Sequence, residues 1–187
     1  AFMANPMAMN EGYEFIVVGR SRVSGRAAQQ IRVVSRDKNR FGFNLWLDQD
    51  TGLLLKMNMS DLQGQLVEQI QITDLQVTAE PHSYFSSVNG SQLPAVVDLK
   101  SKLDYQHKWQ LSFLPLGMKI IKQDVHRLPG VGTPVEYVML SDGLIDVSVY
   151  LQAATTKSDG DILLRHESDT YLSRTDGNFS VTVIGKL

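Results

Sequence analysis

The stretch that decides the fold runs from Tyr13 to Asp61 and reads YEFIVVGRSRVSGRAAQQIRVVSRDKNRFGFNLWLDQDTGLLLKMNMSD. Apolar residues fall at every second position, which is the period of a β-strand with one buried and one exposed face. The alternating positions are Phe15 and Val17; Ile31 and Val33; Phe41, Phe43, Leu45 and Leu47; and Leu53, Leu55, Met57 and Met59. Short polar turns separate the four runs, so the stretch predicts an antiparallel meander. A sheet without a catalytic constellation favours a binding protein over an enzyme.

The composition of the 187 residues is that of an ordinary globular protein, with 43% hydrophobic and 20% charged residues. The formal net charge is −2, so any attraction to nucleic acid or an anionic membrane would have to be local. The absence of cysteine excludes a disulfide framework, a thiolate nucleophile and a cysteine-ligated zinc. No run approaches the roughly 20 apolar residues that span a bilayer. The opening AFMANPMAMN has no signal-peptide pattern and does not start with Met, so we expect a mature or trimmed product.

A second β-rich segment follows the meander. Between them, PHSYFSSVNGSQLP (Pro81 to Pro94) is rich in Ser, Asn, Gly and Pro and has no period, which indicates a loop. Further along, Asp142-Gly143 and Asp176-Gly177 each separate two alternating runs, a strong hairpin signal. Trp109, Leu111 and Phe113 alternate with polar residues, which predicts one more strand.

These patterns predict a mainly β protein built from antiparallel sheets in two parts. We expect a first domain in residues 1–80, a linker in residues 81–107 and a smaller C-terminal β domain in residues 108–187.

Catalytic and metal-binding signals are sparse. The four histidines are far apart, and the chain has no HExxH pair, no GxSxG elbow and no Gly-rich loop ahead of a helix. Surface histidines and ordinary turn residues account for the candidates better than a reactive centre does. We therefore predict no enzyme activity, no cofactor and no metal. A hydrolase assembled in space from distant Ser, His and Asp side chains is the minor alternative.

Basic residues are concentrated between positions 20 and 40, where seven of them accompany a single acid, Asp37. They are Arg20, Arg22, Arg26, Arg32, Arg36, Lys38 and Arg40. One interpretation is the solvated face and hairpin ends of a sheet, where such residues also oppose edge-to-edge pairing. The other is a local site for phosphate groups, such as those of a glycolipid. The apolar face that contains Met57 and Met59 is core or, if left uncovered, a groove for an acyl chain.

An ordered series of motifs resembles the RseB/MucB family of periplasmic regulators of the envelope-stress sigma factor. In the first segment the motifs are VGRSRV, IRVVSRD, an aromatic strand that ends in LWLD, and LQGQLVEQ after a hairpin. In the second they are Phe113-Leu114-Pro115, Gly117-Met118 and the run from Leu140 to Leu144. The likeness extends over essentially the whole chain.

The resemblance implies a large domain similar to the lipoprotein carriers LolA and LolB, with a sheet around an apolar pocket, and then a smaller β domain. It implies a periplasmic protein that binds the anti-sigma factor RseA, shields it from the protease DegS, and is released by lipopolysaccharide or another lipid signal. A LolA-like lipid or lipoprotein carrier is the alternative. The first half of the large domain has no counterpart here, so we expect an open sheet edge at which copies of the chain could associate.

The candidate site residues fall into two sets. For partner binding we expect contacts from Leu114, Pro115, Gly117, Tyr137, Ser141, Asp142, Gly143 and Leu144. For the headgroup of an anionic lipid we expect contacts from Arg20, Arg22, Arg36 and Arg40.

Overall fold

The structure is a computed structural model and describes residues 6–94, 107–127, 132–154 and 160–186. In these ranges eleven β-strands form two antiparallel sheets, accompanied by short 3-10 helices at Pro6–Met9, Ser83–Ser87 and Gly90–Gln92. The strands are β1 (Tyr13–Val23), β2 (Arg26–Ser35), β3 (Gly42–Asp48), β4 (Leu54–Ser60), β5 (Leu66–Gln71), β6 (Lys119–His126), β7 (Val135–Ser141), β8 (Asp146–Ala153), β9 (Ile162–His166), β10 (Asp169–Asp176) and β11 (Phe179–Gly185). The mainly β, antiparallel prediction is confirmed. The likeness to LolA and LolB and the domain boundaries remain predictions.

The first sheet is a simple meander in the order β1-β2-β3-β4-β5. Its first turn is the pair Ser24-Gly25, with φ of 50° and 78°. Two positive φ angles in succession match the right-handed twist of the strands that the turn joins. The predicted hairpin between β3 and β4 is also present, and Asp48 accepts hydrogen bonds from the backbone and the hydroxyl of Thr51. Local turn chemistry therefore fixes the register of this sheet.

Two bulges break the alternation on which the sequence interpretation depends. The register shifts between Val17 and Gly19 in β1; Val17 itself precedes the shift and keeps the face of Phe15, but on this edge strand it is 70% exposed. It shifts again where β4 passes the end of β3, and Leu55 is fully buried in a separate cluster with Val23 and Ala28. An extra residue changes which face the side chains occupy. The predictions that Val17 is buried and that Leu55 shares the face of the β4 methionines were wrong.

The second sheet has the order β6-β7-β8-β11-β10-β9, so β11 returns to pair with β8. Both predicted hairpins in it are present, between β7 and β8 and between β10 and β11. The predicted strand from Trp109 to Phe113 was wrong: Trp109 instead places its ring 4.4 Å from that of Phe179, and Leu111 packs against the core. The segment therefore packs against β11 and the core instead of adding a strand to the sheet.

One hydrophobic core serves both sheets. Strands β1 to β4 contribute Tyr13, Val33, Phe43, Leu45 and Met59, and the second sheet with its connections contributes Met118, Val138, Leu140, Ile145, Val147 and Val149. Each of these side chains is less than a tenth exposed. Burial of apolar area contributes about 25 cal/mol per Å² to folding. The region where the two sheets meet is therefore part of the hydrophobic interior.

Candidate functional site

A single carboxylate closes the β7–β8 hairpin and reaches the first sheet. Asp142 Oδ1 accepts hydrogen bonds from the backbone N–H groups of Leu144 (2.8 Å) and Ile145 (2.9 Å). That is the local turn chemistry for which Asp is favoured at such positions. Its Oδ2 accepts from Tyr13 Oη (2.9 Å) and Arg40 Nη1 (2.7 Å). One side chain thus joins a turn of the second sheet to two segments of the first.

The guanidinium of Arg40 is shared between two carboxylates. Its second terminal nitrogen lies 2.9 Å from Asp37 Oδ2, and its charge lies 5.1 Å from the centre of the Tyr13 ring. The Arg40 side chain is 1% exposed and that of Asp142 is 2% exposed. Because buried charges are costly unless they are paired and hydrogen-bonded, the three charged groups depend on one another.

The pKa values of this network shift in consistent directions. Burial and the adjacent Asp142 carboxylate raise the pKa of Tyr13, so the phenol stays neutral. Burial is the largest single effect on Arg40 and lowers its pKa, but the hydrogen bond to Asp142 and the nearby charges together outweigh burial, so the net shift is upward. Burial raises the pKa of Asp37, but hydrogen bonds from Ser35, the Asn39 backbone and Arg40 bring it below its usual value. The network is therefore one cation between two anions, with a neutral phenol donating into it.

Two glycines allow the backbones to touch beside this network. A Cβ built on Gly117 would lie 2.8 Å from the nitrogen of Gly12, and Gly117 has a φ of 76°. Side-chain atoms do not occur that close to a backbone nitrogen, and positive φ favours glycine.

A second ion pair also joins the two sheets. Lys186 Nζ lies 3.2 Å from Glu68 Oε2, and both side chains are about a third exposed.

Two clefts open along the junction. The first, of about 480 Å³, is lined by Phe43, Met57 and Met59 from the first sheet, by the turn from Gly143 to Asp146, and by the charged residues Glu68, Asp169 and Lys186. The second, of about 500 Å³ and mainly apolar, lies between the turn from Asp37 to Arg40 and the segment from Phe113 to Leu116. Clefts of 300–1,000 Å³ between parts of a protein are the usual place for ligands and partner side chains.

Comparison with models of protein families shows which family the chain belongs to. Residues 1–97 match the MucB/RseB N-terminal domain, and residues 104–187 match the MucB/RseB C-terminal domain. The chain belongs to the MucB/RseB family. The resemblance inferred from the sequence motifs is confirmed.

Curated MucB/RseB relatives are named as regulators of sigma factors. The sigma-E factor regulatory protein RseB of Salmonella typhimurium is 31% identical over 176 residues, and the sigma factor AlgU regulatory protein MucB of Pseudomonas aeruginosa is 32% identical over 187 residues. These alignments cover 94% and 98% of this chain but 55% and 59% of the relatives. The chain therefore spans little more than half the length of the curated MucB/RseB proteins it matches.

Solved structures of MucB complexes superpose closely on this chain, and a further MucB structure superposes less well. MucB in complex with MucA(peri) superposes with a TM-score of 0.80 at 31% identity, covering 98% of this chain and 65% of that one. The Pseudomonas aeruginosa MucA/MucB complex gives the same TM-score. Another crystal structure of MucB, at 29% identity, gives a TM-score of 0.55, and the match covers 98% of this chain and 61% of that one.

Most of the residues expected to bind a partner in this MucB/RseB chain lie at the junction. Leu114 and Pro115 line the second cleft, and Gly143 and Leu144 line the first. Gly117 and Asp142 lie inside the junction, and the Ser141 hydroxyl accepts a hydrogen bond from the Gly143 backbone. Tyr137 is not brought to this place: its ring lies 5.0 Å from that of Tyr150 on another part of the second sheet. Whether any of them contacts a partner stays a prediction.

The arginines expected to bind an anionic lipid do not form one site. Arg40 is buried and paired with Asp142 and Asp37, so it is not accessible to a headgroup and that part of the expectation is corrected. Arg20 and Arg22 are exposed near the β1–β2 turn, while Arg36 follows the other end of β2. Arg22 pairs with Ala27 on β2, and Ala27 is nine residues from Arg36. Nine residues correspond to roughly 30 Å along a strand, so Arg22 and Arg36 are far apart. The exposed arginines therefore make two separate basic patches.

The sequence interpretation missed Tyr13 and Asp37 in the junction network and gave Arg40 and Asp142 other roles. Tyr13 begins the first alternating run and Asp37 lies in a predicted turn, but nothing near either residue points to Asp142, 129 residues away from Tyr13. The residues of the second cleft gave a weak signal, because Phe113 belongs to a motif of the family.

The residues that the structure describes include polar side chains that could in principle form a reactive or metal-binding centre. Within them no group of three or more His, Asp or Glu side chains could hold a metal ion. The buried serine, Ser35, donates its hydroxyl to Asp37, and His107 lies 3.2 Å from Glu136. In the same ranges no helix has the length and apolar character needed to cross a bilayer. The relatives are named as regulatory proteins, which is compatible with a protein that is not an enzyme.

Proposed function

We propose that the chain is a periplasmic regulatory protein that binds the periplasmic part of an anti-sigma factor of the RseA/MucA type. The observation that carries the proposal is the superposition, with a TM-score of 0.80, on MucB in complex with MucA(peri). Binding would restrain the envelope-stress response by shielding the anti-sigma factor from a site-one protease of the DegS type.

The junction between the sheets supplies the contact surface for this proposal. Phe113, Leu114 and Leu116 project around the second cleft with 76%, 38% and 45% of their surface exposed. A cluster of large, exposed apolar side chains beside a cleft is unusual for a surface that only meets water. Buried aromatic anchors typically dominate the energy of a protein–protein interface. We therefore place the partner's apolar side chains in the second cleft.

Titration calorimetry with a purified periplasmic fragment of MucA tests the proposal. We expect binding by the wild-type chain and at least a tenfold loss of affinity in Phe113→Ala, since truncation of a hot-spot anchor costs about 2 kcal/mol or more. Phe85→Ala is the matched control, because Phe85 is 65% exposed but lies outside both clefts. It should bind as the wild type does.

Protection from proteolysis is the second arm of this test. Cleavage of the MucA fragment by a DegS-type protease should slow when the chain is present at saturating concentration. No detectable binding by this chain, under conditions in which the MucB of Pseudomonas aeruginosa binds the fragment, would reject the proposal.

A lipid ligand is the second candidate function, and the first cleft favours it. About 480 Å³ of space beside Phe43, Met57 and Met59 suits part of an acyl chain, and Met adapts readily to irregular apolar ligands. A lipid could act as the release signal, or the chain could act as a LolA-like carrier. Mass spectrometry of lipid extracted from the purified chain tests both; a chain that carries none and takes up none from vesicles would reject them.

Two exposed basic patches, Arg20 with Arg22 and the separate Arg36, are the proposed contacts for a lipopolysaccharide headgroup. Reversal of charge at Arg20, Arg22 and Arg36 to Glu should weaken binding to lipopolysaccharide vesicles. The wild type should lose more affinity than the variant between 50 and 300 mM salt, because exposed charges are screened. Arg165→Glu, on the exposed outer strand β9, is the control. Equal affinity for all three proteins would reject the patches as headgroup contacts.

Association between copies is proposed at an open sheet edge. β1 is an edge strand of the first sheet, and Ile16, Val17 and Val18 on it are 39%, 70% and 45% exposed. An edge of this kind can accept another strand. Sedimentation velocity over a hundredfold range of concentration should show a dimer that Val17→Lys abolishes; a monomer at every concentration would reject it.

A further inference from the structure

Three side chains connect the two sheets at the centre of the junction: Tyr13 and Arg40 from the first sheet and Asp142 from the second. We call this set the junction latch. The Tyr13–Asp142 hydrogen bond spans 129 residues of sequence and the Arg40–Asp142 ion pair spans 102. The latch therefore forms only when the two sheets are already side by side.

The latch differs in kind from the core around it. Apolar burial is non-directional, so a shared core defines the angle between the sheets less sharply than directed hydrogen bonds do. A guanidinium is planar, with donors in a rigid fork, and hydrogen bonds weaken steeply when they are bent. Arg40 uses one end of the fork for Asp142 and the other for Asp37. Rotation of one sheet against the other would break the first of these bonds in a buried site.

The clefts depend on the same angle. The first is lined by residues of both sheets, and the second lies between Arg40 with its turn and the segment that leads into β6. Asp142 directly precedes Gly143 and Leu144, which line the first cleft, and Arg40 lines the second. A change in the latch would therefore change the shape of both clefts together.

Solved relatives differ in how well they superpose on this chain. The two MucB–MucA complexes superpose with a TM-score of 0.80, and the other MucB crystal structure superposes with 0.55. The complex with MucA(peri) and that structure each cover 98% of the chain, at 31% and 29% identity. The solved MucB structures thus differ from one another in overall arrangement.

We propose that Tyr13, Arg40 and Asp142 are positioning residues for partner binding: they hold the two sheets at the angle at which both clefts are open to the partner. This proposal rests on the proposed function for its binding part. The part that concerns the angle stands by itself.

Distance measurement by electron paramagnetic resonance tests the angle directly. The chain has no cysteine, so spin labels at Gln69→Cys on β5 and Arg165→Cys on β9 are the only two labels. The latch variant is Arg40→Met with Asp142→Asn, which removes both charges and leaves neither one buried alone. We expect a single narrow distance for the wild-type chain and a broadened or displaced distribution for the latch variant. An unchanged distribution would overturn the proposal.

The matched control is Arg26→Met with Asp48→Asn. This pair is also an arginine with a buried aspartate, at 2.8 Å, but both residues belong to the first sheet. Its distance distribution should be that of the wild type. If the control broadens the distribution as much as the latch variant does, the latch has no special role and the proposal is overturned.

Affinity for the MucA fragment tests the binding part. We expect at least a tenfold loss for the latch variant and less than a threefold loss for the control. A latch variant with a changed distribution and unchanged affinity would overturn the positioning role. If the wild type itself does not bind, the proposed function fails together with the binding part, while the distance distributions still decide whether the latch sets the angle.

A milder variant replaces the double variant if that does not fold. Tyr13→Phe keeps the ring and removes only the hydroxyl that donates to Asp142. It should broaden the distance distribution and lower affinity about threefold, and a wild-type result in both measurements would overturn the proposal.

Discussion

Two arginine–aspartate pairs with similar N–O distances lie in very different places in this molecule. Arg26 makes a bidentate contact with Asp48, both distances being 2.8 Å, across 22 residues of the first sheet. Arg40 divides its guanidinium between Asp142, at 2.7 Å across 102 residues, and Asp37. The hydrogen bonds from Arg26 hold the pKa of Asp48 well below its usual value. The first pair strengthens a hairpin end that local turn chemistry already defines, and the second determines how distant parts of the chain meet.

The largest expected effect comes from removing one partner of each pair. Asp142→Ala should lower the free energy of unfolding by about 3 kcal/mol, because it leaves the buried Arg40 with only Asp37 as counter-charge. Asp48→Ala should cost less, since the Arg26 side chain is 26% exposed and can turn to water. Urea denaturation measures both. A larger loss for Asp48→Ala would reverse the comparison.

A second test replaces glycines at the junction and at a hairpin tip. Gly117→Ala should cost about 2–3 kcal/mol, because it combines positive φ with a Cβ only 2.8 Å from the Gly12 nitrogen. Gly177→Ala also has positive φ, but a Cβ there meets open space, so its cost should be about 1 kcal/mol. Thermal and urea unfolding of the two variants measure the difference. Equal costs would mean that the close approach at Gly117 adds nothing.

The smallest expected effect is one of pH. Folding raises the pKa of Tyr13 above its ordinary value of 10.0, chiefly through burial, so its contribution to stability is complete below pH 10 and is lost as the pH rises. Between about pH 10 and 11.5 the free energy of unfolding should fall more steeply in the wild type than in Tyr13→Phe. The difference in slope should be up to about 1.4 kcal/mol per pH unit. Tyr84→Phe, at an exposed position outside the junction, is the control and should follow the wild type. Parallel curves for wild type and Tyr13→Phe would exclude this coupling.

Period-two alternation was enough to predict the strands of the first sheet and both hairpins of the second. It failed where β4 gains one residue, because Leu55 is buried in a cluster apart from the β4 methionines. It also failed for Val17, which keeps the predicted face but lies on the edge strand β1 and is exposed. It failed again from Trp109 to Phe113, where alternation occurs without a neighbouring strand to pair with. Strand β9, short and exposed along its whole length, had too weak a pattern to predict.

The junction could be predicted only in part. Family motifs directed attention to Leu114, Pro115 and the turn from Ser141 to Leu144, and the structure places these beside the clefts. The same analysis assigned Arg40 to a lipid and Asp142 to a protein partner, whereas the structure pairs them with each other. Short-range patterns carry no record of a contact across 102 residues, so long-range ion pairs are the features that need coordinates.

The shared core has a consequence for the exposed segment from Pro81 to Pro94. Every residue of that segment is exposed, which makes it a preferred place for a protease to nick the chain. Side chains from both sides of such a cut pack in one core, and the Arg40–Asp142 pair also bridges it. A nicked molecule would therefore persist as a non-covalent complex of two fragments, intact by gel filtration and divided only on a denaturing gel.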